Sequence, residues 1–227
     1  MDFERAKTDE QRQVRIQEIT RVAADLLDNY DYHLITLSNI AKGINFSRAN
    51  LYKYIASKEE IYLILFIDEY EMFLNLLKKE IKQDFSKKTD TFAETLADII
   101  GNQKRFLKLY SILYTIIEKN SSEEKLIEFN QKFKDCKEKY IRILKTAFPI
   151  MDKNRIIKFI ELLDCFIIGF FPITSLSTVQ VSAAQNANIG YYPPNLKKVL
   201  AEQIIFTLRN VTYYSRDKLS PIPYRLL

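Results

Sequence analysis

An all-α protein of about nine helices is predicted by three features of the 227-residue sequence. Helix breakers are scarce, with 4 Gly and 6 Pro. Leu, Ile, Lys and Glu are abundant, and apolar residues recur at steps of three or four over long stretches. At 47% hydrophobic and 28% charged residues the composition fits neither a disordered nor a collagen-like chain, and the length is enough to bury a core without disulfides or structural metal.

The first helix spans about residues 8–29, where Ile16, Ile19, Ala23 and Leu26 keep the period of one helix face. Asn29-Tyr30-Asp31 breaks it. Thr36 caps a short second helix over 37–42 by accepting from an otherwise unpaired backbone N–H, and 43–45 form a tight turn in which Asn45 tolerates a left-handed conformation. Ser47 caps a third short helix reaching about Tyr54, with Leu51 and Ile55 facing inward. Ser57 and Glu60 form an S-x-x-E box that starts a long fourth helix at Lys58, continuing to about Phe85. Helices follow at roughly 91–101, 103–119 and 123–148, the last stopped by Pro149. The eighth, about 153–171, stops at Pro172. The ninth begins after Pro193-Pro194, and the tail from Ser220 to Leu227 is expected to be extended.

Charge is unevenly placed. The net charge is +5, a weak pointer to an anionic partner. Up to Asp31 there are 8 acids and 5 bases, whereas 32–58 contain no acid but Lys42, Arg48, Lys53, Lys58 and the single histidine, His33. A second gap, 165–196, has no Asp, Glu, Lys or Arg at all. It fits a subunit interface, whose centre is poor in charge, the border of an apolar ligand pocket, or an uncharged loop. Cys136 and Cys165 are far apart and without metal-binding spacing, so neither a disulfide nor a metal site is expected and a reducing compartment is the natural reading. Met1 is followed by a strongly charged stretch with no apolar signal region, and the longest apolar run is too short to span a bilayer. A cytoplasmic protein with no membrane span and no cofactor is expected.

The basic segment has the anatomy of a helix-turn-helix, whose second helix enters the major groove with its N-terminal residues at the base edges. Arg48, Ala49 and Asn50 occupy the first turn after the Ser47 cap. There an arginine can present its fork to guanine and an asparagine can pair with adenine. Tyr52, Lys53 and Tyr54 follow, able to donate to phosphates, and Lys58 sits at the positive end of the fourth helix.

The run Thr36-Leu37-Ser38-Asn39-Ile40-Ala41, then Phe46-Ser47-Arg48-Ala49-Asn50-Leu51-Tyr52-Lys53-Tyr54-Ile55, then Ser57-Lys58-Glu59-Glu60-Ile61, resembles the DNA-binding region of the tetracycline-repressor (TetR) family. About the first 65 residues carry the resemblance. It implies phosphate contacts from Thr36, Ser47, Tyr52, Tyr54 and Lys58, with Arg48, Ala49, Asn50 and Lys53 closest to base edges. Two departures are visible: Asn45 stands where the family usually has glycine, and Ile55 where phenylalanine is frequent. The resemblance also implies an N-terminal three-helix reader domain, residues 1–57, and a larger helical domain, 58–227, that forms a homodimer through the last two helices and encloses a small-molecule effector. Phe106, Tyr110 and Tyr114, opposite Phe166 and Phe170, are the aromatic candidates for a ligand-lining set. Glu161 and Asp164 could orient a cationic or hydroxylated group if they face inward.

The expected function is therefore a sequence-specific transcriptional regulator, a ligand-responsive repressor on a pseudo-palindromic double-stranded operator. An enzyme lacks parts: there is one histidine, no paired Cys/His, no GxSxG, no P-loop and no GxGxxG. A helical adaptor that binds protein and not DNA is the alternative, against which the acid-free basic segment weighs.

Overall fold

The computed structural model describes residues 9–190 and 192–213, and among them there are ten α-helices and no strand. The chain forms two compact units: residues 1–69 with 113–131, and residues 70–112 with 132–227. The expected extended tail over 220–227 lies outside the described residues.

In the first unit, α1 (Asp9–Asn29) lies against α2 (Leu37–Gly43), which is followed by α3 (Arg48–Leu51). Ile19, Ala23, Leu27, Ile40, Leu51, Ile55, Ile61 and Tyr62 are buried, the inward face of each short helix. Gly43 allows the close approach of α1 and α2, since a Cβ there would lie 2.4 Å from Val22 Cγ1. The fourth helix, α4 (Lys58–Glu80), contributes residues to both units. It stops five residues before the expected end, although Ile81 and Phe85 stay buried. The apolar spacing continues past the helix, and spacing alone does not mark where the backbone leaves it. In this unit α7 (Glu123–Ala147) starts beside α4, with Ser122 Oγ donating to Glu60 Oε1 at 3.4 Å and the Phe66 and Phe129 rings 5.9 Å apart.

The second unit is built from α5 (Thr89–Gly101), α6 (Lys104–Ile112), most of α7, α8 (Lys153–Thr174), α9 (Thr178–Asn186) and α10 (Leu196–Tyr213). α10 packs against α5 and α8, and α6 against α8. Phe92, Leu96, Ile100, Phe106, Leu109, Tyr140, Phe159, Leu163, Leu200, Ile204 and Leu208 form its core. Each such large side chain contributes about 1.5–3 kcal/mol on burial.

Three expectations are corrected. The single helix over 103–119 is instead α6, a wider π turn at Leu113–Ile117 and a 3-10 turn at Glu118–Asn120. One extra residue per turn leaves the apolar spacing almost intact, so periodicity conceals it. Pro172 does not end α8, which runs to Thr174. A missing N–H two residues before the end removes one bond, and Thr174 Oγ1 donates to Phe171 O at 2.8 Å in that turn. Part of the uncharged stretch is the helix α9. Its ends, not an apolar stripe, define it: Ser177 Oγ accepts from Gln180 N, and the Gln180 side chain accepts from Ser177 N.

Candidate nucleic-acid interface and effector region

Local chemistry builds the α2–turn–α3 segment. Thr36 Oγ1 accepts from Asn39 N at 3.2 Å while Asn39 Oδ1 accepts from Thr36 N at 3.1 Å, a reciprocal cap that starts α2. The turn closes through Phe46 N donating to Ala41 O at 2.8 Å, and Asn45 takes φ 56°. A left-handed angle is one asparagine accepts at little cost, so the departure from glycine leaves the turn intact. Ser47 Oγ accepts from Asn50 N at 3.1 Å and starts α3. The α-helical part is a single turn. Tyr52–Tyr54 continue it as hydrogen-bonded turns, with Tyr54 N and Ile55 N both donating to Leu51 O.

Burial sorts the faces. Leu51 and Ile55 are buried, whereas Thr36, Ser47, Arg48, Ala49, Tyr52 and Lys53 are exposed and Asn50, Tyr54 and Lys58 are half-buried. Of the nine expected DNA-facing residues, Ser47, Arg48, Ala49, Asn50, Tyr52, Lys53 and Tyr54 lie on α3, its cap and the turns that follow, whereas Thr36 caps α2 and Lys58 opens α4. Arg48 Nη2 donates to the Tyr52 hydroxyl at 3.0 Å, and its guanidinium lies 5.5 Å from that ring. This holds the guanidinium of the residue next to the cap against the following turn.

Lys58 has a further role that local spacing does not reveal. Its Nζ donates to Tyr32 O at 3.0 Å and Ile35 O at 2.8 Å and stands 4.2 Å from the Tyr32 ring centre. Burial lowers the ammonium pKa from its ordinary value, against an opposing pull from Glu59. Burial first, and then the hydrogen bond that Tyr32 donates to Glu59 Oε1 at 2.9 Å, push the Tyr32 phenol far above its usual range. The expected S-x-x-E box is half realised: Glu60 N donates to Ser57 Oγ at 3.2 Å, but the Glu60 carboxylate accepts from Ala56 N at 3.1 Å.

Sequence reasoning missed Arg12. From α1 its guanidinium donates to Lys53 O at 3.2 Å and Tyr54 O at 3.3 Å, satisfying carbonyls at the end of the recognition segment. Arg15, 5.8 Å from the Phe46 ring, flanks the same segment. Arg12 lies 41 and 42 residues and Arg15 about thirty residues from these partners in sequence, where no local pattern signals the contact.

In the second unit, Phe106 and Tyr110 lie in an aromatic cluster. The rings of Phe73 and Phe106 stack at 5.6 Å, and Tyr70 meets Phe106, Tyr110 and Phe133 edge-on. Tyr114 falls in the π turn that belongs to the first unit and is half-buried. Phe166 and Phe170 stack on each other at 4.8 Å on a half-exposed side of α8. Glu161 and Asp164 do face inward. Asp164 forms an ion pair with Lys137 of α7 in which both side chains are almost wholly buried, and Lys137 Nζ also lies 3.4 Å from the Tyr110 hydroxyl. The Tyr140 hydroxyl is buried with no hydrogen-bond partner among the described residues; burial, and then Asp164, hold its pKa well above the ordinary phenol value. Burial likewise raises the Glu161 carboxyl. Among the described residues no cluster of His, Cys, Asp or Glu could hold a metal ion, and no helix is long and apolar enough to cross a membrane.

A capped helix-turn-helix whose second helix turns its polar side to solvent defines the class of a helix-turn-helix DNA-binding protein. Two family models divide the chain between them: residues 19–64 match that of the bacterial regulatory proteins of the tetR family, and residues 67–209 match a tetracyclin repressor-like C-terminal domain. The chain belongs to the TetR family of transcriptional regulators.

A curated relative, a fatty acid metabolism regulator protein of Bacillus subtilis (strain 168), is 24% identical over 139 residues, 59% of this chain. The match spans 66% of that regulator's length, just under two thirds. Two solved structures share the fold. The fatty acid degradation regulator FadR from Bacillus halodurans has a TM-score of 0.52 at 16% identity, covering 86% of this chain and 96% of its own. The Thermus thermophilus FadR, a TetR-family repressor solved in complex with lauroyl-CoA, has a TM-score of 0.51 at 17% identity, covering 91% of this chain and 99% of its own.

Proposed function

We propose that this regulator is a ligand-responsive repressor that binds a pseudo-palindromic operator as a homodimer in the cytoplasm. The observation that carries the reading is α3 and the turn after it: one capped turn with Arg48 and Ala49 exposed and Asn50 half-buried, then the exposed Lys53, with no acid between Tyr32 and Lys58. In this reading Arg48, Ala49, Asn50 and Lys53 approach base edges, while Thr36, Ser47, Tyr52, Tyr54 and Lys58 hold phosphates. Arg48 would leave the Tyr52 hydroxyl to reach a base, and Lys58 would pin residues 32–35 while its charge faces the backbone. Residues 1–57 act as the reader and 58–227 as the dimerisation and effector domain.

Dimerisation is assigned to α8 and α10. Phe206 is 64% exposed on α10 and Ile173 52% exposed on α8, beside the half-exposed Phe166–Phe170 stack. A Cβ added at Gly169 would meet nothing within 4 Å, so this side of α8 is open. Such apolar exposure on two helices fits a four-helix interface with a second copy. A homodimer is also what reading two successive major grooves requires, with recognition helices about 34–36 Å apart.

Of the aromatic effector candidates, Tyr110 adjoins the Lys137–Asp164 pair, Phe106 packs against Tyr110, and Tyr114 follows in sequence on the π turn. Phe166 and Phe170 would line an effector site only on the dimer side of α8. The regulators of fatty acid metabolism among the similar proteins support an effector with an acyl chain. Selection of bound sequences from random double-stranded DNA tests the reading. It should enrich an inverted repeat with half-sites about one helical turn apart; recovery of no motif, with binding insensitive to salt, would favour a protein-binding adaptor.

A further inference from the structure

We propose that Arg12 of α1 is a positioning residue for sequence reading, a role that rests on the operator reading of α3. By bridging the carbonyls of Lys53 and Tyr54 it caps the recognition segment from outside and fixes where that segment meets the duplex.

The segment cannot hold itself. α3 is four residues long, whereas isolated helices shorter than about 12–15 residues are marginal in water. Beyond it Lys53 N donates to Asn50 O at 3.2 Å and Tyr54 N to Leu51 O at 3.0 Å, so residues 52–54 continue only as turns. Ser47 secures the N-terminal end. At the other end no glycine follows to close the helix in the usual left-handed way, since the next residues are Ile55, Ala56 and Ser57. Among the described residues neither Lys53 O nor Tyr54 O accepts from a backbone N–H.

Side chains from two other helices take over that end. Arg12 Nη1 donates to Lys53 O at 3.2 Å and Arg12 Nη2 to Tyr54 O at 3.3 Å, so one planar fork spans two consecutive carbonyls. From α4, Glu60 Oε2 accepts from Ala56 N at 3.1 Å. A line of rings carries the hold across the segment: the Arg12 guanidinium lies 5.9 Å from the Tyr54 ring centre, Tyr54 lies 5.9 Å from Phe46, and Arg15 lies 5.8 Å from Phe46. Phe46 is buried and directly precedes the Ser47 cap. Two arginines one turn apart on α1 therefore grip both ends of the segment, and α1 is itself anchored through the buried Ile19, Ala23 and Leu27. Base-edge hydrogen bonds weaken steeply with misalignment, whereas attraction to the phosphates is independent of sequence. Loss of Arg12 should thus cost discrimination before it costs general affinity.

The test titrates the full chain, Arg12→Ala and Arg12→Lys against an operator selected from random DNA and a scrambled duplex at several salt concentrations, and follows amide exchange of Tyr54 and Ile55 in the free proteins. Arg12→Ala, on an exposed position, should keep the parent's circular dichroism spectrum and salt slope, lower the ratio of operator to scrambled affinity about ten-fold, as loss of one well-made hydrogen bond does, and speed exchange of both amides. Arg12→Lys keeps the charge but not the fork, and should lose about three-fold or more of the same ratio. A parent that fails to separate the duplexes would overturn the operator reading and this role with it. A parent that separates them beside an Arg12→Ala or an Arg12→Lys that does so equally well would overturn the role alone. So would a slope flattened by about 0.9 at unchanged ratio, the mark of a phosphate contact, or a lost ratio with unchanged amide exchange, the mark of an arginine that touches the bases itself.

Discussion

Removing the Asp164 carboxylate should unfold the second unit far more easily than removing both members of its ion pair. The Lys137 side chain is 3% exposed and that of Asp164 6%, so neither charge has water to fall back on. Asp164→Leu strands a buried ammonium; Lys137→Met strands a buried carboxylate. The usual cost of breaking one side of such a pair is about 3–5 kcal/mol. An upper limit comes from the one escape available, exchange of a proton with water, which at neutral pH costs about 4 kcal/mol for an ordinary ammonium or carboxylate.

With Lys137→Met and Asp164→Leu together no charge remains, and the aromatic surroundings of Tyr70 and Phe133, whose ring centres lie 5.3 and 5.0 Å from Lys137 Nζ, receive apolar side chains. The double variant should lie near the parent, as buried pairs replaced by apolar residues do. Urea unfolding followed by far-UV circular dichroism reads the difference. Each single variant should lower the midpoint by about 1–2 M at a slope of about 2–3 kcal/mol per M, and the double should recover most of it. Losses below about 1 kcal/mol that simply add in the double variant would refute the reasoning, because they would mean that the pair is solvated.

Four further outcomes follow from the same geometry. Asn50→Ala should change which base is preferred at one position of each half-site, by about 1–3 kcal/mol in competition binding, and unchanged preference would remove Asn50 from base reading. Lys58→Ala should weaken binding to all sequences and flatten the slope of log affinity against log salt by about 0.9, one phosphate contact; it should also lower the melting temperature, because two carbonyls lose their donor. Phe206→Arg, on a side chain 64% exposed in the single chain, should leave the unfolding midpoint of dilute protein nearly unchanged but halve the mass measured by sedimentation. For Glu161→Gln the sign follows from a carboxyl pKa raised by burial. Its ionised form is the disfavoured one in the fold, so the variant should be more stable than the parent at neutral pH. The gain should shrink as pH falls into the ordinary carboxylate range and both chains carry a neutral group.

What the sequence disclosed depended on how local the cause was. Thr36, Asn45 and Ser47 act on backbone groups within three residues, so cap and turn chemistry revealed both short helices and the left-handed residue between them. Lys58 looked like a free surface cation because its carbonyl partners lie 26 and 23 residues earlier, a distance at which sequence carries no pairing information. Lys137 stands among Lys132, Lys134, Asp135, Glu138 and Lys139 on a helix that reads as solvated. Only its partner across the unit reveals that it is buried. α9 lacked the apolar period by which helices are found; all its residues are at least partly exposed, and its caps do not stand out in a Ser/Thr/Gln-rich stretch. Glu161 and Asp164 were visible as acids on an apolar helix, but only packing determines which way they point.

The central claim is that α3 reads DNA, and fluorescence anisotropy on an operator recovered by selection tests it most directly. The full chain is titrated against that operator and a scrambled duplex at two salt concentrations, beside an Arg48→Ala/Asn50→Ala double variant. The account predicts tight, saturable binding of two or four chains per operator, a steep loss of affinity with salt on both duplexes, and a double variant that keeps the salt dependence but no longer separates operator from scrambled DNA. A double variant that still discriminates as the parent does would contradict it, and would move sequence reading off α3.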